Sequence, residues 1–178
     1  MTADLNFNQN HFALFGLPVA FQIDSAALDR AYRDIQAQIH PDKFAHAGEA
    51  EQRLSMQWTT RVNEAYQALK KPFDRARYLL QLQGIDALDP NNTRMPPAFL
   101  MQQMAWRETL ADAQAGHDLN ALQTLENILK AEAKALQALL ATQLDTEHDG
   151  PAASETLRKL RFLDKLQEEI ETTYEVIG

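Results

Sequence analysis

Residues 37–46 read AQIHPDKFAH and separate two long helical patterns. Apolar residues precede this stretch at the three- and four-residue spacing of an amphipathic helix, namely Leu28, Ala31, Tyr32, Ile35 and Ile39. Pro41 disfavours the α conformation for the residue before it, so we predict that this helix stops at His40. A second amphipathic pattern runs from about residue 49 to residue 69. The two patterns together predict an antiparallel helical hairpin with His-Pro-Asp in its loop.

The His-Pro-Asp loop has three interpretations. His40 could be a catalytic base oriented by Asp42, but the sequence offers no nucleophile and no glycine-rich phosphate loop beside them. A metal site would recruit His46, yet no pattern puts two ligands on one helical face. In the third interpretation, proline fixes the backbone and presents a carboxylate to an arginine of a partner. The remaining histidines occur singly, and we expect surface or helix-cap positions for His11, His117 and His148.

Two further short helices complete the first half of the chain. Asn10 can cap a helix that runs through Phe15, and Gly16 ends it. Pro72 suits the first turn of another helix, which Gly84 closes. We therefore predict a first domain over residues 1–83.

The second half reads as a helical bundle after a linker. Residues 84–97 contain one Gly, three Pro and two Asn without helical periodicity, as expected for a segment between domains. Long helical patterns follow at about 98–115, 118–144 and 152–177, with short connections. Long helices with short connections favour an antiparallel three-helix bundle over residues 98–178. The fold class predicted for the whole chain is all-α.

Composition excludes several classes of protein. The chain has 178 residues and a formal charge of −8, and residues 84–178 carry the whole acidic excess with eight Lys and Arg against sixteen Asp and Glu. This balance argues against a nucleic-acid surface. The chain has no cysteine, hence no disulfide and no thiolate metal site. No apolar run reaches the ~20 residues of a membrane span, and the N-terminus lacks signal-peptide features, so we predict a cytoplasmic protein without membrane contact.

The first domain resembles the J-domain family, through which co-chaperones engage DnaK-type ATPases. The matching segments occur in order: AYRDIQAQIHPDKF at 31–44, VNEAYQAL at 62–69 and KPFDRARYLL at 71–80. The resemblance implies that the tripeptide and the basic face of the preceding helix dock on the ATPase and trigger hydrolysis. The chaperone-binding residues that it implies are Arg30, Arg33, His40, Pro41, Asp42 and Lys43.

One feature departs from the J-domain pattern. Many J-domains have a strongly basic second helix, whereas here Asp29 and Asp34 flank the two arginines. We expect weak electrostatic steering toward the chaperone, which suits a dedicated partner better than broad use.

The helix predicted near 98–115 has two apolar stripes. One contains Phe99, Trp106, Leu110 and Ala113, and the other, roughly opposite, contains Leu100, Met101, Met104 and Ala111. A bundle helix needs one stripe for its core, so the second packs on the first domain or awaits a partner. In the last helix, Phe162 lies off the core stripe among basic residues and is either an anchor for a partner or a contact to a neighbouring helix.

The whole chain, from HFALFGLP at 11–18 to the last helix, is similar to the HscB family of J-type co-chaperones of iron–sulfur cluster assembly. In the C-terminal half, the similarity is carried by two segments, FLMQQMAWRETL at 99–110 and LRKLRFLDKLQEEI at 157–170. The resemblance implies two partners, the chaperone HscA and the cluster scaffold IscU. It places scaffold binding at Leu100, Met101, Met104, Glu108 and Phe162.

The resemblance also implies a monomer with no cofactor, no bound metal and no enzymatic activity of its own. Two positions depart from the family pattern. Met104 stands where leucine is frequent, which keeps an apolar contact. Ala105 stands where an acidic residue is frequent, which removes a charge. The alternative function is that of a J-domain co-chaperone for a different client.

Overall fold

The computed structural model describes residues 5–178 and divides into two compact units between Leu79 and Leu80. Every regular element in this part of the chain is helical, and it contains no β-strand. The all-α fold class predicted from the sequence is confirmed. No helix among these residues has an apolar stretch long enough to cross a lipid bilayer.

The helices of the first unit begin and end close to the predicted residues. They are α1 (His11–Leu14), α2 (Ser25–Ile39), α3 (Glu49–Lys70) and α4 (Pro72–Leu82), the last of which continues past the division between the units. The Asn10 side chain caps α1 and the Asp24 side chain caps α2, each accepting backbone N–H groups of the first turn. After α2, His40 is extended at φ −54° and ψ 132°, as a residue before proline should be. Pro41–Phe44 then form a 3₁₀ turn.

Helices α2 and α3 form the predicted hairpin. Its buried apolar residues are Leu28, Ile39, Trp58, Val62, Ala65 and Leu69. The rings of Tyr32 and Tyr66 stack with centroids 4.0 Å apart, and the Tyr32 hydroxyl donates to Oδ1 of Asn63 at 2.7 Å. At the far end, the buried Ser55 hydroxyl donates to the carbonyl of Ile39. This bond ties the last turn of α2 to α3 directly beneath the His-Pro-Asp loop.

Three long helices form the second unit, with α5 (Pro97–Ala115), α6 (Leu119–Ala141) and α7 (Gly150–Ile177). The Asp118 and Asp149 side chains cap α6 and α7. A π turn at Thr142–Thr146 prolongs α6, where the sequence pattern predicted a continuous helix to residue 144. Leucines supply most of the core, including Leu122, Leu125, Leu129, Leu140, Leu157, Leu163 and Leu166.

Residues 84–96 have no regular helix and belong to the second unit, and residue 97, the last of the predicted linker, already begins α5. Ala87 is fully buried, and Leu88 and Met95 line a groove together with residues of α5 and α7. The segment is therefore packed beside the bundle along part of its length. The domain limits at residues 83 and 97 remain a prediction.

Candidate functional site

The His-Pro-Asp loop is shaped by hydrogen bonds of its own backbone. Nδ1 of His40 accepts the N–H of Asp42 at 3.2 Å, and the His40 carbonyl accepts the N–H of Lys43 at 3.0 Å. The histidine side chain thus serves as the N-cap of the 3₁₀ turn. Because Nδ1 is an acceptor, the neutral ring carries its proton on Nε2. Pro41, which lacks an N–H, occupies the first position of the turn without leaving a donor unpaired.

The tip of the hairpin is open to solvent. His40, Pro41, Asp42 and Lys43 are all exposed. The Asp42 side chain is 93% exposed, and its Oδ2 lies 3.5 Å from Nδ1 of His40. The loop therefore presents an imidazole and a carboxylate on a fixed backbone.

The basic face of α2 continues from the tip. Arg33, His40 and Lys43 surround a shallow depression together with Gln36 and Ala37. Arg30 is exposed one turn earlier on the same helix. Gln36 and Ala37 were not among the predicted residues, although their spacing from Arg33 puts them on its helical face.

The two acidic residues that flank the arginines differ in their contacts. Oδ1 of Asp29 accepts the hydroxyl of Tyr66 at 2.7 Å, which turns this carboxylate toward α3. The same hydrogen bond, followed by burial, raises the pKa of Tyr66 above its ordinary value. Asp34 is exposed on α2.

The C-terminal candidate surface lies on α5. Phe99, Trp106, Leu110 and Ala113 are buried, as predicted for the core stripe. The opposite stripe is exposed, with exposed fractions of 46% for Leu100 and 72% for both Met101 and Met104. Ala105 and Glu108 are exposed as well. At about 100° per residue, Leu100, Met101, Met104 and Glu108 fall within about 100° of one another around the helix. They therefore form one face.

Phe162 on α7 is half-buried and packs against residues of α5. Its ring meets the ring of Phe99 edge-on at 6.0 Å, and the guanidinium of Arg107 lies 5.3 Å from its centroid. Phe162 and Leu100 line one groove, so the structure brings these two predicted residues together. Leu88, Met95 and Gln103 line the same groove and were missed, the first two because they belong to a segment without helical periodicity.

The histidines away from the tip have distinct positions. His117 and His148 lie in the connections of the bundle and adopt positive φ values of 50° and 53°. His11 is the first residue of α1, directly after the N-cap, and it is half-buried and stacks on Tyr78 at 4.2 Å rather than being fully exposed. Burial, with a contribution from the charge of Arg61, lowers the pKa of His11 to about 4. In the described part of the chain, no three His, Asp or Glu side chains are grouped so that they could hold a metal ion.

Comparison with known proteins identifies the family. A family model described as the HSCB C-terminal oligomerisation domain matches residues 95–171. The co-chaperone protein HscB homolog of Paraburkholderia phymatum is 53% identical over 170 residues, which cover 96% of this chain and 97% of that protein. The chain belongs to the HscB family of co-chaperones.

Solved HscB structures have the same fold. The chaperone HscB from Vibrio cholerae superposes with a TM-score of 0.82 at 37% identity, over 96% of this chain and 100% of that one. The human co-chaperone protein HscB gives a TM-score of 0.83 at 30% identity, over 94% and 83% of the two chains. As in other members of the HscB family, a J-domain is followed by a C-terminal helical bundle.

Proposed function

We propose that this co-chaperone binds the iron–sulfur scaffold IscU through its C-terminal bundle and delivers it to the DnaK-type chaperone HscA. The J-domain then stimulates the ATPase of HscA during cluster assembly and transfer. The protein itself makes and breaks no covalent bond.

The tip of the α2–α3 hairpin is the surface that we expect to bind the chaperone. The hydrogen bond between Nδ1 of His40 and the N–H of Asp42 is the single observation that carries this part of the proposal. Because this bond and Pro41 fix the loop, little conformational freedom is lost when a partner binds. An exposed carboxylate in a fixed position suits a charge-assisted contact with an arginine of the ATPase. Arg30, Arg33 and Lys43 would add cationic contacts beside it.

The scaffold-binding end rests on the exposed stripe of α5. Met101 and Met104 are 72% exposed in a helix whose other stripe already supplies the core. Methionine side chains adapt to an irregular apolar surface. Leu100 lies on the same face and lines a groove together with Phe162, and the exposed Glu108 adds a charge to the face. Ala105 contributes no polar contact.

Both contacts occur in one chain, which has a physical consequence for delivery. Once the bundle holds the scaffold and the J-domain meets the chaperone, the encounter of scaffold and chaperone becomes intramolecular. An effective concentration on the order of millimolar then allows each contact to have a moderate affinity.

The decisive experiment is the steady-state ATPase activity of the cognate HscA in the presence of IscU. We expect strong stimulation by the wild-type protein and its loss with His40→Gln. His46→Gln is the matched control, because His46 is exposed and lies outside the tripeptide. Equal stimulation by wild type and His40→Gln would show that the tip is not the trigger. No stimulation by wild type would contradict the proposed function itself.

A further inference from the structure

A groove runs between the segment 88–95 and the helices α5 and α7. It has a volume of about 360 Å³, within the size range of sites that accept a small ligand or a few side chains. Its apolar lining includes Leu88, Met95, Leu100 and Phe162. Two of these, Leu100 and Phe162, also belong to the surface proposed above for the scaffold. The groove is therefore continuous with that surface.

The charge around this groove is opposite to that of the unit that contains it. Residues 80–178 have eight Lys and Arg against sixteen Asp and Glu. The groove nevertheless has three cationic side chains, Arg158, Arg161 and Lys165, and one carboxylate, Asp89. Three ion pairs of this unit engage Arg107, Lys130 and Lys159, and none of these three cations lines the groove. Positive charge is thus concentrated where an apolar cleft opens.

Arg158 is held in place at the back of the groove. Its Nη1 donates to Oγ of Ser154 at 2.9 Å. Its Nε is buried and finds no acceptor among residues 5–178. An unpaired buried donor of a charged group costs free energy, and an anion bound nearby lowers that cost by compensating the charge.

We propose that this groove binds an acidic segment of the scaffold, with one apolar side chain against Leu88, Met95 and Phe162 and carboxylates beside Arg158, Arg161 and Lys165. The inference rests on the proposed function and adds a second contact to it. The α5 stripe supplies apolar contact area, and the groove supplies charge selectivity. Nucleic acid fits poorly, because a unit with a net charge of −8 repels a polyanion outside the groove.

The test is the affinity of apo-IscU for the full chain and for Arg161→Glu/Lys165→Glu, measured by calorimetry at about 0.05 M and 0.3 M salt. We expect the dissociation constant at low salt to rise roughly tenfold, since both cations become repulsive toward carboxylates. The difference should shrink at high salt, where exposed charges are screened. Lys130→Glu/Lys134→Glu on α6 is the matched control, because it changes the net charge equally and lies outside the groove.

Each outcome decides between the two proposals. An effect of the groove variant that exceeds that of the α6 control supports the groove. Equal losses of affinity in the groove variant and the α6 control would mean general charge repulsion and would overturn the groove proposal. The proposal would also be overturned if the groove variant bound apo-IscU as tightly as wild type while Leu100→Ala/Met104→Ala abolished binding. Absence of binding by wild type would overturn the proposed function together with this inference. A second copy of this chain is the alternative occupant of the groove, and analytical ultracentrifugation of the chain alone tests it. Self-association that is lost in Arg161→Glu/Lys165→Glu would overturn the scaffold as the occupant in favour of the second copy.

Discussion

Nδ1 of His40 accepts the backbone N–H of Asp42 at 3.2 Å, so the first and third residues of the His-Pro-Asp tripeptide hold each other across the proline. The carboxylate of Asp42 itself caps no helix and is 93% exposed. The histidine therefore has a structural role in the loop in addition to the surface that it presents. The aspartate side chain is free for an interaction outside the chain.

Asp42→Asn separates recognition from folding. Since the carboxylate is almost fully exposed, we expect the free energy of unfolding to change by less than about 0.5 kcal/mol. Loss of a charge-assisted contact should reduce stimulation of the HscA ATPase roughly tenfold or more. Denaturant titration and steady-state ATPase rates measure the two effects. Asp34→Asn is the control, because Asp34 is an exposed residue of α2 and its substitution removes the same charge. This variant should stimulate the HscA ATPase nearly as well as wild type, and a loss of stimulation as large as that of Asp42→Asn would contradict the assignment to Asp42.

Ser55→Ala tests how the tip is supported. The buried hydroxyl donates to the carbonyl of Ile39, and its removal leaves that carbonyl without this donor. We expect a loss of about 1–2 kcal/mol in the free energy of unfolding. Stimulation should also fall below that of wild type at temperatures where the protein stays folded, because the last turn of α2 positions His40. Ser25→Ala, an exposed serine at the start of α2, is the control, and equal stability of the two variants would contradict the supporting role.

The hairpin could be predicted from the sequence because local physics dominates there. Pro41 stops α2 whatever surrounds it, and the apolar spacing before it already defines the buried face. The two stripes of α5 were predicted in the same way, and the exposed fractions of Phe99 and Met101 agree with them.

The remaining features depend on contacts between residues far apart in sequence. Leu88 and Met95 have no periodicity, so their place beside Phe162 follows only from the path of the segment over the bundle. The burial of His11 depends in the same way on Tyr78, which lies 67 residues away. The cap formed by Nδ1 of His40 requires a 3₁₀ turn that the sequence pattern did not predict.

The triple variant Leu100→Ala/Met104→Ala/Phe162→Ala tests the client surface. We expect the dissociation constant for apo-IscU to rise roughly thirtyfold or more, since exposed apolar anchors supply most of the energy of such contacts. Pull-down and calorimetry measure the loss, and far-ultraviolet circular dichroism checks that the helices persist. Ile128→Ala/Leu139→Ala on α6 removes a similar exposed apolar surface and should bind normally. Unchanged binding by the triple variant would favour the alternative of a J-domain co-chaperone with another client or another binding surface.

His11 should make the stability of the protein dependent on pH between about 6.5 and 4. Burial, followed by the charge of Arg61, lowers its pKa from 6.5 to about 4 in the folded state. In this interval the unfolded chain binds the additional proton, so the free energy of unfolding falls as the pH falls. The full pKa change corresponds to about 3 kcal/mol, and solvent screening at a half-buried site reduces our expectation to about 1–2 kcal/mol.

His11→Phe isolates this effect, because phenylalanine can keep the stacking on Tyr78 and does not titrate. Denaturant titrations at pH 7.0 and 4.5 should show a smaller acid-induced loss of stability for His11→Phe than for wild type. His46→Gln removes an exposed histidine and should follow the wild-type dependence. If the free energy of unfolding changed with pH in the same way for wild type and His11→Phe, His11 would take up its proton equally readily in the folded and unfolded states. The half-buried ring would then be solvated well enough to remain charged in the folded protein.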